Sequence, residues 1–153
     1  MSPKPEPLFR VSRRIEFADT DMAGIVHFAN FFRFMEAAEV DFLRSRGLSV
    51  VMHWEGHRIS FPRVAASCDY LRPIRFQDVV DISVSLQRLG RKSVTYAFEF
   101  FRGPELIARG QLSSVCCVAA DGGGIKSIEI PVSIRERLEA ASSAPATHDE
   151  MMR

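Results

Sequence analysis

The sequence predicts an α+β fold in which an antiparallel sheet of five or six strands wraps around one long helix. Residues 30–46 have the apolar spacing of a helix, with apolar side chains over about half of the circumference. Residues 80–87 and 94–100 alternate apolar and polar side chains, as half-buried strands do. With 153 residues, of which 46% are hydrophobic, the chain is long enough to bury one core.

The first predicted elements are a short strand that ends near Arg14 and a turn that holds Asp19, Asp21 and Gly24. The helix follows, with Asn30 as a candidate cap and Gly47 as a stop signal. Its apolar face consists of Phe31, Phe32, Phe34, Met35, Ala38, Phe42 and Leu43. Such a helix has to be covered, and alternating strands offer an apolar face that can cover it.

Downstream, the pattern predicts four or five antiparallel strands and a short terminal helix. A strand over residues 59–70 contains Pro62, which favours a strand start or an edge. No helix or strand is predicted for the connection that holds Trp54 and His57. The remaining strands are expected at 80–87, 94–100, 106–119 and a short stretch up to 130, followed by a helix that Pro131 opens and that ends near Ala140.

The ends of the chain differ in composition from its middle. Residues 1–8 contain three prolines, and residues 141–153 are small and polar. We therefore expect a flexible N-terminal arm over 1–8, a single domain over 9–140 and a flexible C-terminal tail over 141–153.

Charge and cysteine content narrow the function classes. The net charge of +1 does not suggest nucleic acid or a membrane surface as a partner. The three cysteines form neither a disulfide framework nor a zinc spacing, and no signal peptide or apolar span is visible. The sequence also lacks a nucleotide loop. We therefore expect a cytoplasmic protein without a metal or cofactor.

The segment RIEFADTDMAGIVHFANFFRF, which begins at Arg14, resembles the signature of the hotdog-fold acyl-CoA thioesterases of the 4-hydroxybenzoyl-CoA thioesterase type. That signature is a strand, then Asp-x-Asp-x-x-Gly-Ile/Val-Val, then aromatic or His positions and a long helix. The resemblance continues through FPRVAASCDYLRPIRFQDVVDISV and LGRKSVTYAFEF and covers about residues 10–131.

The resemblance implies a hotdog fold and hydrolysis of an acyl-CoA thioester. It assigns the catalytic carboxylate to Asp21 and the amide that polarises the thioester carbonyl to the backbone of Phe28. Gly24, Ile25 and His27 are then expected to bind substrate. The resemblance also implies a homodimer or homotetramer with the active site between subunits.

The chemistry of the residues agrees with that assignment. A thiolate leaves readily because a thiol pKa is only ~8.5, so hydrolysis needs a base or nucleophile and a stabilised oxyanion. Amides at a helix start suit an oxyanion, and losing one such donor costs about 3 kcal/mol of activation free energy. Asp21 can attack the carbonyl as a nucleophile or deprotonate a water, and the sequence leaves both routes open.

Each of these residues also has a structural interpretation. Asp21 can be a turn carboxylate that accepts backbone N–H groups, and Asp19 is expected to be structural. Gly24 can serve the turn alone. His27 precedes Phe28, whereas related thioesterases often have the aromatic residue first, and it can instead be hydrogen-bonded at the helix start.

Other polar groups also have two interpretations. Arg91, Lys92 and Ser93 lie in a turn and either contact CoA phosphates or form a solvated surface. Glu39 falls inside the apolar arc of the helix, and we expect it to pair across a subunit interface rather than to act in catalysis. Candidates for an acyl pocket are Trp54, Phe61, Val64 and Tyr70.

Three functions follow. The first is an acyl-CoA thioesterase. The second is a hotdog enoyl-CoA hydratase that uses Asp21 with His27, and the third is a non-catalytic acyl-CoA-binding or protein-binding module.

Overall fold

The computed structural model describes residues 4–140. A five-stranded antiparallel sheet has the strand order β1-β5-β6-β7-β4. Its strands are β1 (Phe9–Arg14), β4 (Arg63–Tyr70), β5 (Val79–Leu89), β6 (Ser93–Arg102) and β7 (Glu105–Val115). A long helix, α1 (Asn30–Ser45), packs on one face of this sheet. The predicted arrangement of one long helix against a five-stranded antiparallel sheet is therefore confirmed.

Aromatic contacts hold α1 against the sheet. The Phe31 ring lies 5.4 Å from the Phe100 ring of β6, and the Phe42 ring lies 5.8 Å from that of Tyr96. Close approach at β7 depends on Gly110, where an added Cβ would lie 2.3 Å from the Met35 sulfur. The alternating residues of β6 that face the helix are almost fully buried, so this layer forms the core.

A second, smaller sheet differs from the prediction. It contains β2 (Met52–Trp54), β3 (His57–Ser60), β8 (Cys117–Ala119) and β9 (Ile125–Ser127) in the order β2-β3-β8-β9. Trp54 and His57, for which no strand was predicted, pair across a hairpin. Its turn residues Glu55 and Gly56 both have positive φ, of 49° and 77°.

Two predicted strands are interrupted. The strand expected over 59–70 is broken at Phe61 and Pro62, where proline lacks the N–H that a ladder needs. The strand expected over 106–119 is broken at Cys116, whose N–H donates to the Lys92 carbonyl at 2.7 Å. Each break moves the chain from one sheet to the other.

The ends of α1 agree with the prediction only in part. Gly47 has a φ of +70°, and the Leu48 N–H donates to the Leu43 carbonyl, so the predicted stop is confirmed. The prediction that Asn30 caps the helix is wrong, because its side-chain amide donates to the Asp19 carbonyl at 2.8 Å. A short helix, α2 (Val132–Glu139), follows Pro131 as expected. Within residues 4–140 no helix is long and apolar enough to span a membrane.

The two edges of the larger sheet have different character. β1 carries Arg10, Arg13 and Arg14, and charged side chains protect an edge from pairing with another strand. β4 has charged side chains only near its two ends, at Arg63 and Asp69, and it contains no proline. Seven of its eight residues are exposed, and Cys68 is half-buried. The edge that β4 forms is therefore open to pairing.

Candidate active site

The segment between β1 and α1 is fixed by Asp19. Its carboxylate accepts the Glu16 N–H at 2.8 Å, and its backbone carbonyl accepts the His27 N–H at 3.0 Å and the side-chain amide of Asn30. Asp19 is 9% exposed. The structural role expected for Asp19 is therefore observed, and its bonds tie the turn to the start of the helix.

Asp21 lies at the tip of this turn. Its N–H donates to the Ile25 carbonyl at 2.9 Å, and its carbonyl accepts the Gly24 N–H at 3.0 Å. One carboxylate oxygen, Oδ1, accepts the Ala23 N–H at 2.9 Å. No donor to the other oxygen is found among residues 4–140. One oxygen thus satisfies the turn, and the second is available to a ligand.

Phe28 precedes the helix and presents an unpaired backbone donor. The Asn30 N–H donates to the His27 carbonyl, and the Ala29 N–H donates to the His27 Nδ1 at 3.1 Å. The Phe28 N–H, in contrast, has no acceptor in the part of the chain that the structure describes. The Phe28 carbonyl accepts the Tyr70 hydroxyl at 2.9 Å, which holds the Phe28–Ala29 peptide group against the end of β4.

Asp21 and Phe28 line one cleft of about 400 Å³. Its other walls are mainly apolar, and they include Ile25, Phe31 and Tyr70. The aromatic walls are in mutual contact, since the rings of Phe31 and Tyr70 lie 5.0 Å apart at nearly right angles. Asp21 and Phe28, each with a polar group that has no partner among residues 4–140, therefore share one opening with apolar walls.

The other residues predicted around this turn fall into two groups. Ile25, and Tyr70 from the end of β4, line the cleft. Gly24 and His27 do not line it. Gly24 has a φ of +79°, which suits the turn, and His27 is hydrogen-bonded at the helix start with its ring stacked 4.6 Å from that of Phe28. The structural alternative stated for each of these two residues is thus observed.

The predicted phosphate contacts lie far from this cleft within one chain. Residues 91–93 lie at the β5–β6 turn. Phe100, whose ring contacts Phe31 in the wall of the cleft, lies seven residues after Ser93 on β6. Seven residues of strand span roughly 23 Å. Arg91 forms an ion pair with Glu129, and Lys92 is exposed. A single subunit therefore does not bring Arg91, Lys92 and Ser93 to Asp21.

A second cavity, of about 440 Å³, lies beside the C-terminal half of α1. The Glu39 carboxylate lies at this cavity and binds the Arg63 guanidinium at 2.7 Å, so the predicted pairing of Glu39 across a subunit interface is replaced by a pair within the chain. Arg63 also donates to the Ser114 hydroxyl at 3.0 Å. Burial raises the pKa of the Glu39 carboxyl, and the neighbouring Arg63 opposes that rise.

Sequence reasoning missed most of this second cavity. Phe61 was predicted to line an acyl pocket and does line this cavity, whereas Arg63, Tyr96 and Ser114 were not singled out. They come from three different strands, and a pattern of alternating burial in each strand does not indicate which side chains converge. Among the polar residues of this cavity, only Glu39 was recognisable, as an acid on the apolar face of a helix.

Comparison with known proteins identifies the class. Residues 23–108 match the model of the thioesterase superfamily. The 1,4-dihydroxy-2-naphthoyl-CoA hydrolase of Thermosynechococcus vestitus is 32% identical over 114 residues, which cover 73% of this chain and 77% of the relative. A solved gentisyl-coenzyme A thioesterase is 29% identical, with a TM-score of 0.71, over 85% of this chain and 99% of that one.

A third comparison concerns the fold. A 4-hydroxybenzoyl-CoA thioesterase variant, solved in complex with 4-hydroxybenzoyl-CoA, has a TM-score of 0.71 over 86% of this chain and 98% of that one, at 23% identity. The chain belongs to the thioesterase superfamily and has the hotdog fold. It is an enzyme, a thioester hydrolase, and the resemblance noted in the sequence is confirmed.

Proposed function

We propose that the protein hydrolyses an acyl-CoA thioester with Asp21 and the Phe28 N–H. The observation that carries this proposal is the pairing, in one cleft, of a carboxylate oxygen without a donor and a backbone N–H without an acceptor, within the part of the chain that the structure describes. The first N–H groups of a helix have no acceptor within the helix, and such an N–H can bind the oxyanion of a tetrahedral intermediate.

The reaction follows from these two groups. The thioester carbonyl oxygen accepts the Phe28 N–H, which stabilises the negative charge as the carbonyl carbon becomes tetrahedral. Asp21 either attacks that carbon, giving a mixed anhydride that water then hydrolyses, or removes a proton from an attacking water. In both routes the C–S bond breaks, CoA leaves as a thiolate, and the acid is released. Since a thiol pKa is ~8.5, no strong general acid is needed.

The substrate class is inferred from the relatives and the cleft together. The relatives are named for CoA esters of hydroxylated aromatic acids. The cleft of this chain has flat walls from Phe28, Phe31 and Tyr70, which suit a planar acyl group next to the thioester. An aromatic acyl-CoA is therefore the substrate class that we propose.

The active assembly is proposed to be a homodimer that pairs β4 with β4, or a homotetramer built from two such dimers. The open edge of β4 favours this pairing. A two-fold contact is isologous, and two copies of one strand then run antiparallel, so the Tyr70 end of one lies beside the Arg63 end of the other. Phe28 is 63% exposed and Met22 fully exposed, so the turn offers apolar surface for a second subunit to cover.

This pairing gives residues 91–93 a role in trans. They lie at the same end of the sheet as Arg63, since Ser93 pairs with Val115 and Arg63 with Ser114. Two-fold pairing of β4 brings that end towards the partner's Asp21 cleft. Lys92 with Arg91 and Ser93 can then bind the phosphates of a CoA whose thioester lies in the partner's cleft.

The first prediction concerns Asp21→Asn. We expect this variant to lose at least ~100-fold in kcat for aromatic acyl-CoA esters, on the order of the effect of removing one essential catalytic group. Its melting temperature should stay close to that of the wild type, because the amide oxygen of the new side chain can still accept the Ala23 N–H. Release of free thiol is the assay, since hydrolysis liberates CoA whereas hydration or simple binding does not. Retention of near wild-type turnover would exclude Asp21 as the catalytic carboxylate.

The second prediction concerns Arg91→Ala combined with Lys92→Ala. We expect KM for an acyl-CoA to rise about tenfold or more while KM for the same acyl group on a short thiol is unchanged, because only CoA carries the phosphates. Arg88→Ala, an exposed arginine on the same hairpin, is the control. Equal changes in KM for both thioesters would show that Arg91 and Lys92 do not bind the CoA phosphates.

The third prediction concerns Ala66→Lys, in the middle of β4. A lysine at an open edge opposes pairing with another strand, so the variant should elute at the monomer mass in size-exclusion chromatography with light scattering and lose activity. Gln111→Lys, on neighbouring β7 but away from the edge, should keep the wild-type mass. A dimer of unchanged stability in the Ala66→Lys variant would show that another surface forms the assembly.

A further inference from the structure

Two side chains hold the peptide group that follows Phe28. The Tyr70 hydroxyl donates to the Phe28 carbonyl at 2.9 Å, and the Ala29 N–H donates to the His27 Nδ1 at 3.1 Å. That carbonyl and that N–H belong to one planar peptide group, so both of its polar ends are bound by side chains. This peptide group cannot turn without breaking at least one of the two hydrogen bonds.

The preceding peptide group carries the donor proposed for the oxyanion. Its N–H is that of Phe28, and its carbonyl, that of His27, accepts the Asn30 N–H at 2.9 Å. The N–H of His27 itself donates to the Asp19 carbonyl at 3.0 Å. The backbone of Phe28 is therefore held from both sides, by backbone bonds before it and by the Tyr70 and His27 side chains after it.

Both of these side chains are packed against neighbouring rings. The Tyr70 ring, at the end of β4, lies 5.0 Å from the Phe31 ring and nearly at right angles to it. The His27 ring stacks on the Phe28 ring at 4.6 Å. Because its Nδ1 accepts a hydrogen bond, the imidazole is neutral and carries its proton on Nε2.

We propose that Tyr70 and His27 are positioning residues of the hydrolysis, which direct the Phe28 N–H at the oxygen of the thioester carbonyl. They act through the peptide group between Phe28 and Ala29 and transfer no proton. This inference rests on the proposed function and adds two residues to the groups that carry out the chemistry. It also gives His27 a role other than binding substrate.

The direction of this donor matters because the oxyanion forms only in the transition state. A donor stabilises the developing negative charge best when it already points to the place that the oxyanion will occupy. A donor that is free to turn has to be oriented during the reaction, which raises the activation free energy. We therefore expect the loss in kcat rather than in KM.

His27 also determines how many donors the site offers. The N–H groups of Phe28 and Ala29 both precede Asn30, the first residue of α1, and the first N–H groups of a helix have no acceptor within it. Because the His27 Nδ1 accepts the Ala29 N–H, only the Phe28 N–H of these two is left for an oxyanion.

The first test separates kcat from KM. The test ester is whichever of benzoyl-CoA, 4-hydroxybenzoyl-CoA and 2-naphthoyl-CoA the wild type hydrolyses fastest. Tyr70→Phe removes only the hydroxyl and keeps the ring that packs on Phe31, whereas His27→Leu removes the acceptor of the Ala29 N–H. Each variant should lower kcat about five- to tenfold and leave KM within about twofold of the wild-type value.

Two other results would overturn the inference. If KM rises while kcat stays the same, or if neither constant changes, the two residues do not position the donor. If His27→Leu raises kcat, the freed Ala29 N–H serves as a second donor, and the assignment of His27 is wrong.

His27→Asn is the conservative variant. An asparagine side chain accepts the backbone N–H two residues further on, as in an Asx turn, so the bond to the Ala29 N–H is kept. This variant should retain kcat within about twofold of the wild type. A loss as large as that of His27→Leu would overturn the assignment of His27.

Thr95→Val is the control for the loss of a hydroxyl. The Thr95 hydroxyl bonds that of Ser113 at 2.8 Å between neighbouring strands β6 and β7. Thr95 is adjacent in sequence to Tyr96, whose ring packs on α1, and therefore points to the opposite face of the sheet. We expect this variant to keep both kcat and KM.

An infrared difference spectrum reports the bond to the carbonyl directly. The test ester, with an isotopic label in its thioester carbonyl, is bound to Asp21→Asn so that it is not hydrolysed. A hydrogen bond from the Phe28 N–H lowers the stretching frequency of that carbonyl. Adding Tyr70→Phe or His27→Leu should return the band towards the frequency of the free ester, and adding His27→Asn should leave it in place.

The proposed function and the inference fail in different ways. If the wild type releases thiol from none of the three esters, or if the carbonyl band in Asp21→Asn lies at the frequency of the free ester, the proposed function fails and the inference fails with it. If hydrolysis depends on Asp21 and the band is lowered, but Tyr70→Phe and His27→Leu change neither kcat nor the band, only the inference is overturned.

Discussion

The arrangement of the site depends on the hydrogen bonds of one buried residue, Asp19. Its carboxylate binds the backbone before the turn, and its carbonyl binds the His27 N–H and the Asn30 amide after the turn. Asp21, two residues later, is thereby held at the turn tip with one carboxylate oxygen that no donor among residues 4–140 reaches. The same bonds hold His27 and Asn30 at the start of α1. There the Phe28 N–H has no acceptor among residues 4–140. A small set of backbone contacts thus places two complementary groups in one cleft.

The elements that the sequence predicted are those whose burial has a clear period. The apolar face of α1 and the apolar–polar alternation of β5 and β6 each indicate one buried side. All three elements were predicted correctly. The β2–β3 hairpin was missed because its strands are three and four residues long and mostly exposed. The breaks at Pro62 and Cys116 were missed because the apolar pattern continues through them while the hydrogen-bonding partner changes.

In the site, too, the residues that a local pattern marks were predicted and the contacts between distant residues were not. Asp21 and Phe28 were located by a local motif, and the structure brings them to one cleft. The bond from Tyr70 to the Phe28 carbonyl and the pair of Glu39 with Arg63 join residues 42 and 24 positions apart, which no local pattern encodes. The distance of residues 91–93 from Asp21 follows from strand order, which the sequence also did not reveal. In the assembly that we propose through β4, residues 91–93 of one subunit would lie towards the Asp21 cleft of its partner.

Catalysis as proposed requires an acyl carbonyl that is held between Asp21 and the Phe28 N–H. The most direct measurement is a crystal structure of the protein with an aromatic acyl-CoA analogue in which a methylene replaces the thioester sulfur. We predict that the ketone oxygen lies about 3 Å from the Phe28 nitrogen, with the free Asp21 oxygen facing the carbonyl carbon or a water beside it. A carbonyl bound outside this cleft, or a Phe28 N–H turned away from it, would contradict the account.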